Sequence, residues 1–132
     1  MANRIVRVVA AVIERGGKYL ITQRRDEAVL AGLWEFPGGK VEAGETDEAA
    51  LEREVEHRIG ATVAVAEKVA EHNHEYEKYI VHLTLYACRL APGDEPTAVR
   101  VKEIRWVSSS EFGSYKFPPA DQVTMDQLLE LE

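Results

Sequence analysis

The chain has 132 residues and a formal net charge of −7, because 23 acidic residues outnumber 16 Lys and Arg. That length predicts one domain over residues 1–132. A composition of 45% hydrophobic and 30% charged residues is globular and argues against a disordered chain. The longest uncharged apolar run, Val8 to Ile13, is far below the roughly 20 residues of a membrane span. We therefore expect no membrane partner, and the acidic balance disfavours a nucleic acid polymer, which needs basic surface.

Cysteine usage and the N-terminal residues bear on the compartment. The lone Cys88 cannot form an internal disulfide, and no basic segment followed by an apolar one and a cleavage site opens the chain. We therefore expect a cytoplasmic protein. Cys88 lies in the middle of a predicted strand, so we expect a small core residue there and not a nucleophile. The sequence does not indicate an oligomeric state.

The predicted elements run from strands through one helix and back to strands. Strands are predicted over residues 4–14, 18–23, 61–69, 79–89 and 99–107. A helix is predicted from the N-cap Thr46 to Ile59, with Gly60 as its stop. A short helical turn over 108–112 and a last helix over 122–131 follow, whereas residues 24–37 and the glycine pair after them are expected to be irregular. This order predicts an α+β fold with a mixed sheet between helices.

Residues 38–61, GGKVEAGETDEAALEREVEHRIGA, combine a glycine-rich loop with the start of the predicted helix. Paired glycines let the backbone come close to an anion or a metal ion. The helix has an apolar residue at every fourth position, which predicts a buried stripe of Leu51, Val55 and Ile59. Glu54, His57 and Arg58 share another face, because spacings of three and four residues bring helical side chains together.

The same segment resembles the signature of the Nudix hydrolases. That signature reads Gly, five residues, Glu, seven residues, Arg-Glu, an aliphatic residue, any residue, Glu-Glu, any residue, Gly and an aliphatic residue. The matching positions are Gly39, Glu45, Arg53, Glu54, Val55 and Gly60. Outside it, GLWEFPGGK, Trp106 and FPPAD resemble the MutT-like branch, so the resemblance covers nearly the whole chain. It implies a Nudix-type α/β/α sandwich.

The resemblance also implies a reaction. MutT-like enzymes split a nucleoside triphosphate, normal or oxidised, into a monophosphate and pyrophosphate, using Mg²⁺ or Mn²⁺ on the carboxylate face of the helix. By resemblance, Glu54 and the carbonyl of Gly38 would hold metal, and Arg53 with Glu45 would hold loop and helix in place. The implied partner is a small-molecule nucleotide.

Five further positions are implied to contact the nucleotide. They are Arg24, Glu35, Phe36, Lys40 and Asp121. A carboxylate at Asp121 can accept a hydrogen bond from a base amino group or ring N–H. Two of these assignments have plain alternatives: Arg24 as a solvated charge beside Arg25, and Asp121 as a helix cap.

The chain departs from the family pattern at three acidic positions. His57 and Arg58 replace the Glu-Glu pair, which takes the local charge from −2 to +1, and Arg100 replaces the acid expected six residues before Trp106. An Arg cannot ligate a metal. Three outcomes stay open: an ordinary Glu54–Arg58 salt bridge four residues apart, a surviving weak metal site, or a redirected chemistry with His57 as general base.

These departures leave more than one function open. The first is a MutT-like pyrophosphohydrolase of weak or lost activity. The second is an inactive module in which Arg58 and Arg100 clamp a nucleotide phosphate, and the third is an engineered hydrolase that uses His57 on an uncharged ester. The sequence does not separate natural loss from deliberate redesign. Three more histidines, His72, His74 and His82, suggest a metal cluster, but turn residues between them favour a polar hairpin.

Overall fold

The computed structural model describes residues 4–119 of the chain. Its strands are β1 (Arg4–Arg15), β2 (Lys18–Gln23), β3 (Trp34–Glu35), β4 (Gly38–Lys40), β5 (Val63–Glu75), β6 (Tyr79–Leu90) and β7 (Glu103–Val107). Its helices are α1 (Asp47–Ile59) and a 3₁₀ helix over Ser109–Ser114. No helix within residues 4–119 is long and apolar enough to cross a membrane.

Strand β1 is the centre of a mixed seven-stranded sheet with the order β3-β2-β1-β6-β5. It pairs in parallel with β6 along most of its length, and antiparallel with β2 at Glu14–Arg15 and with β4 at Val8–Ala10. Strand β7 pairs with β2, and β5 forms an antiparallel hairpin with β6 at the edge. The expected α+β fold with a mixed sheet is confirmed.

Helix α1 is set by the local signals that its sequence contains. The Thr46 side chain accepts a hydrogen bond from the Ala49 amide at 3.1 Å, and Gly60 ends the helix in the left-handed region at φ 64°. The predicted stripe of Leu51, Val55 and Ile59 is fully buried against the sheet. Packing this stripe fixes the rotation of the helix, which leaves Glu54 and Arg58 beside the glycine-rich loop.

Several predicted boundaries were wrong. The glycine pair is part of strand β4, and a short strand β3 interrupts residues 24–37. β5 continues to Glu75, because as an edge strand it tolerates polar residues on its open faces. β7 begins only at Glu103, because the amides of Val99 and Arg100 donate to the Arg58 carbonyl at the end of α1 and so leave the sheet. The final helix predicted over 122–131 lies outside the described residues.

Candidate active site

The glycine-rich loop lies against Glu54 so closely that a side chain would not fit. A Cβ built on Gly39 would lie 2.5 Å from Glu54 Oε2, and one on Gly38 would lie 2.0 Å from the Val9 carbonyl oxygen. Both positions therefore need glycine for close approach. The sheet supplies one wall and α1 the other.

Arg53 joins this loop to the helix. Its guanidinium donates to both oxygens of Glu45, at 2.7 Å (Nε–Oε2) and 2.9 Å (Nη2–Oε1), and also to the Lys40 carbonyl at 3.1 Å. The hydrogen bond from Arg53, together with one from the Glu42 amide, lowers the pKa of Glu45 to about 2. Such a bidentate pair has a fixed geometry, which suits the holding role that the resemblance implies for Arg53 and Glu45.

Glu54 is buried, and both of its carboxylate oxygens accept hydrogen bonds from arginines. Oε1 accepts from Arg58 Nε at 2.9 Å, and Oε2 accepts from Arg53 Nη1 at 3.0 Å. The salt bridge predicted between residues 54 and 58 is therefore present. The carboxylate lies between two guanidinium groups.

The ion pairs continue beyond Arg58 into the interior. Arg58 Nη1 lies 3.8 Å from Glu35 Oε2, which is also 3.1 Å from Arg24 Nη1. Arg24 is only 7% exposed, and its Nε donates to the Val29 carbonyl at 2.7 Å. The alternative of a solvated charge at Arg24 was wrong, because this side chain is a buried partner of Glu35.

A cavity of about 440 Å³ opens where α1 ends, and we call it the arginine cavity. Its described lining contains His57 and the four arginines Arg24, Arg25, Arg58 and Arg100. The position of Arg100 is fixed twice at the end of α1: its amide donates to the Arg58 carbonyl at 2.9 Å and its Nη1 to the His57 carbonyl at 3.1 Å. All three residues that depart from the family pattern, His57, Arg58 and Arg100, therefore line one cavity.

Mg²⁺ and Mn²⁺ are hard ions that prefer several oxygen ligands. Between residues 4 and 119 no group of three or more His, Cys, Asp or Glu side chains could hold a metal ion. Glu54 has both oxygens paired to guanidinium groups, and Gly38 lies in β4 opposite Ala10. The described residues do not fit the metal that the resemblance implies at Gly38 and Glu54.

The other predicted nucleotide residues are not gathered in one place. Lys40 borders a second cavity of about 570 Å³, which Glu54, Arg4 and Arg7 also line. Phe36 packs edge-on against Phe112, with ring centroids 5.7 Å apart. Asp121 lies outside the described residues.

The remaining histidines and the cysteine have structural surroundings. His82 Nε2 lies 3.1 Å from Glu71 Oε2, and the His74 ring stacks on Tyr76 in the β5–β6 hairpin. The polar hairpin is therefore confirmed. Cys88 belongs to the core, as predicted, and burial raises the pKa of its thiol to about 11.

Sequence reasoning missed Arg25 as a lining residue and missed Glu35 as the link between Arg24 and Arg58. The Arg24-Arg25 pair was a visible signal, since two adjacent arginines directly follow the end of β2 at Gln23. Alternation continued past the strand end would have placed one side chain inside and one outside, and Arg24 is buried whereas Arg25 is exposed. The Glu35–Arg58 contact joins distant segments and has no local signal.

Comparisons with known proteins agree with this fold and loop–helix geometry. The model of the NUDIX domain family matches residues 8–127. The chain is 38% identical to the CTP pyrophosphohydrolase of Escherichia coli K12 over 130 residues, covering 97% of this chain and 94% of that one. It is 36% identical to the 8-oxo-dGTP diphosphatase of Haemophilus influenzae, covering 98% and 95%. A solution structure of MutT from Staphylococcus aureus superposes with a TM-score of 0.68 at 35% identity, covering 98% of each chain.

The chain therefore belongs to the Nudix hydrolase family, as a MutT-like member. Its loop–helix unit keeps the residues of the family signature that shape the loop, namely Gly39, Glu45 and Arg53. It differs at three positions where the family pattern has acidic residues, because this chain has His57, Arg58 and Arg100 there.

Proposed function

We propose that this single-domain, cytoplasmic chain is a nucleoside triphosphate pyrophosphohydrolase with low metal-dependent turnover. The substrate class is supported by two relatives of matching length, one named for CTP and one for 8-oxo-dGTP. The reaction proposed is that of the branch, in which water splits the triphosphate into a monophosphate and pyrophosphate.

The observation that carries the low turnover is the state of Glu54. Its two oxygens accept from Arg53 and Arg58, so a divalent ion would have to displace a guanidinium to reach the carboxylate. Nudix hydrolases generally use divalent ions such as Mg²⁺, which neutralise phosphate charge and activate water. With His57 and Arg58 in place of two acids, the same face repels a cation.

The nucleotide roles are part of this proposal. Arg24, held by Glu35 at the wall of the arginine cavity, would direct a guanidinium N–H toward the nucleotide. Phe36 follows Glu35 on the same segment and would line the base pocket with its backbone. Asp121 and Lys40 are assigned by family position alone, to base and phosphate respectively.

The test is pyrophosphate release from normal and oxidised nucleoside triphosphates, with Mg²⁺, with Mn²⁺ and with chelator. The parent chain should release little with either metal. The triple variant His57→Glu, Arg58→Glu and Arg100→Glu should release pyrophosphate at least about tenfold faster with Mg²⁺, since a gain of about 1.4 kcal/mol in transition-state stabilisation suffices.

A matched control is the single variant Arg25→Glu. It reverses a charge at the same cavity but lies outside the family's acidic positions. A similar gain in this control would mean that general charge reversal, and not restored ligands, raised the rate. A folded triple variant without any gain, or a parent chain that is already fast, would overturn the proposal.

A second candidate is a nucleotide-binding module without turnover. The clustering of Arg58 and Arg100 around His57 favours it, because guanidinium groups bind phosphate oxygens directly. A module of this kind would bind nucleotide in chelator and release no pyrophosphate under any condition. The engineered alternative, with His57 as a base, would show hydrolysis of an uncharged ester that is lost in His57→Ala.

A further inference from the structure

The arginine cavity has a charge opposite to that of the whole protein. The described lining residues have four arginines against Glu27, and Glu35 and Glu54 pair with Arg24 and Arg58, which leaves a formal charge of +1 without counting His57. The chain itself has a net charge of −7. Concentrating positive charge in one concave site of an acidic protein favours a small anion there over the rest of the surface.

The four arginines form two layers. Arg24 and Arg58 lie at the inner wall, where Glu35 and Glu54 hold their guanidinium groups. Arg25 and Arg100 are exposed at the mouth. The inner pair is oriented before any ligand arrives, which reduces the entropy lost when a ligand binds.

Arg100 lies at the opening of the arginine cavity, where it adds an exposed positive charge. Its backbone and side chain both bond to carbonyls of the last turn of α1, so the guanidinium is held at the end of the helix, in the lining of the cavity. Within residues 4–119 it takes part in no ion pair. Its charge is therefore not neutralised by a described acid, and an anion in the cavity would supply the missing partner.

We propose that the arginine cavity binds the polyphosphate of a nucleotide directly, without a divalent ion, with Arg58 and Arg100 as the clamp. This deepens the proposed function, on which it rests for the nucleotide. A guanidinium offers two parallel N–H donors to phosphate oxygens. The guanidinium groups of Arg58 and Arg100, which line the same cavity, would supply positive charge where a metal would otherwise neutralise the phosphates. A volume of about 440 Å³ is within the range of ligand pockets.

The probe is inorganic triphosphate, titrated calorimetrically into the intact chain in chelator and again with Mg²⁺. Binding should occur in chelator, and Mg²⁺ should weaken it by competing for the phosphate. The variant Arg100→Gln should raise the Kd about tenfold or more, since a charged hydrogen bond contributes about 1.5–3 kcal/mol. The Kd of Arg100→Lys should lie between those of the parent chain and Arg100→Gln, because lysine keeps the charge but lacks the paired N–H donors of a guanidinium.

Arg89→Gln is the matched control, because this exposed arginine of β6 changes the net charge equally and does not line the cavity. It should leave the Kd unchanged. Equal effects of Arg89→Gln and Arg100→Gln would mean that only overall charge matters, and the clamp would be wrong. A requirement for Mg²⁺, or no binding of triphosphate by folded protein, would also overturn it.

The two proposals fail differently. If the acid-restored triple variant stays inactive while the parent chain binds triphosphate in chelator, the hydrolase proposal fails and the clamp stands. If a nucleoside triphosphate binds but inorganic triphosphate does not, recognition lies in the base and sugar. The clamp is then overturned and the hydrolase proposal is untouched.

Discussion

Neutralising Glu54 tests whether its carboxylate is committed to Arg58. The two side chains are 11% and 18% exposed, and their atoms Oε1 and Nε are 2.9 Å apart. Two unit charges about 4 Å apart attract by about 4 kcal/mol at an effective dielectric constant of 20. Desolvation and ordering of the side chains remove part of this attraction. We expect Glu54→Gln to lower the free energy of unfolding by about 2 kcal/mol, since it removes a charged acceptor from both Arg58 and Arg53.

The pairwise part of that effect comes from a double-mutant cycle. Glu54→Gln, Arg58→Gln and the double variant should give a coupling energy of about 1–2 kcal/mol, as for other contacting residues of one network. The internal control is the exposed pair Lys68–Glu71, whose side chains are 49% and 45% exposed. Its coupling should be much smaller, because water and salt screen an exposed pair.

Urea unfolding near neutral pH, followed by circular dichroism and by tryptophan fluorescence, measures both cycles. The variants should share one m-value, because none changes the surface exposed on unfolding. A Glu54–Arg58 coupling no larger than that of Lys68–Glu71 would show that Arg58 does not hold the carboxylate. Glu54 would then be available to a cation, and low turnover would no longer follow from its ion pairs.

Two further predictions concern the loop. The pKa of Glu45 is about 2 in the folded protein against an ordinary 4.5. Between these two pH values the unfolded chain therefore binds more protons than the folded protein. The stability that Glu45 contributes is present above about pH 4.5 and is lost as the pH falls toward 2. Glu45→Gln should therefore flatten the acid limb of a plot of stability against pH, and an unchanged limb would contradict this. Gly39→Ala would place Cβ 2.5 Å from Glu54 Oε2 and should cost about 1–3 kcal/mol in urea unfolding. Gly113→Ala, which meets nothing within 4 Å, should cost much less, and equal losses would remove the steric explanation.

Elements whose signals lie within a few residues could be predicted from the sequence. Helix α1 is an example, since Thr46 and Gly60 mark its ends and an apolar stripe marks its buried face. Residues 99–102 are the opposite case. Their composition suits a strand, but the amides of Val99 and Arg100 bond to the end of α1, a partner more than 40 residues away. No periodicity within the segment contains that information.

The contacts of the site also divide into those that local sequence predicts and those that it does not. The Glu54–Arg58 pair follows from helix geometry alone, because residues four apart lie on one face. The contact between Glu35 and Arg58, and the cavity that Arg25 and Arg100 both line, join segments that only the packed sheet and helix bring together. Family resemblance identified the altered positions, and the fold shows that all three surround one cavity.

A buried carboxylate needs a positive partner, and this requirement connects the fold to the proposed chemistry. Glu54 lies against Gly39, with little contact to water, where an unpaired negative charge would be costly. Arg58, one helical turn later, supplies the positive charge from within the chain. The loop and helix can then keep their arrangement without a cation. A divalent ion would have to compete with Arg58 for the same oxygen of Glu54, so the ion pair that holds this carboxylate in place would also oppose the metal chemistry of the proposed function.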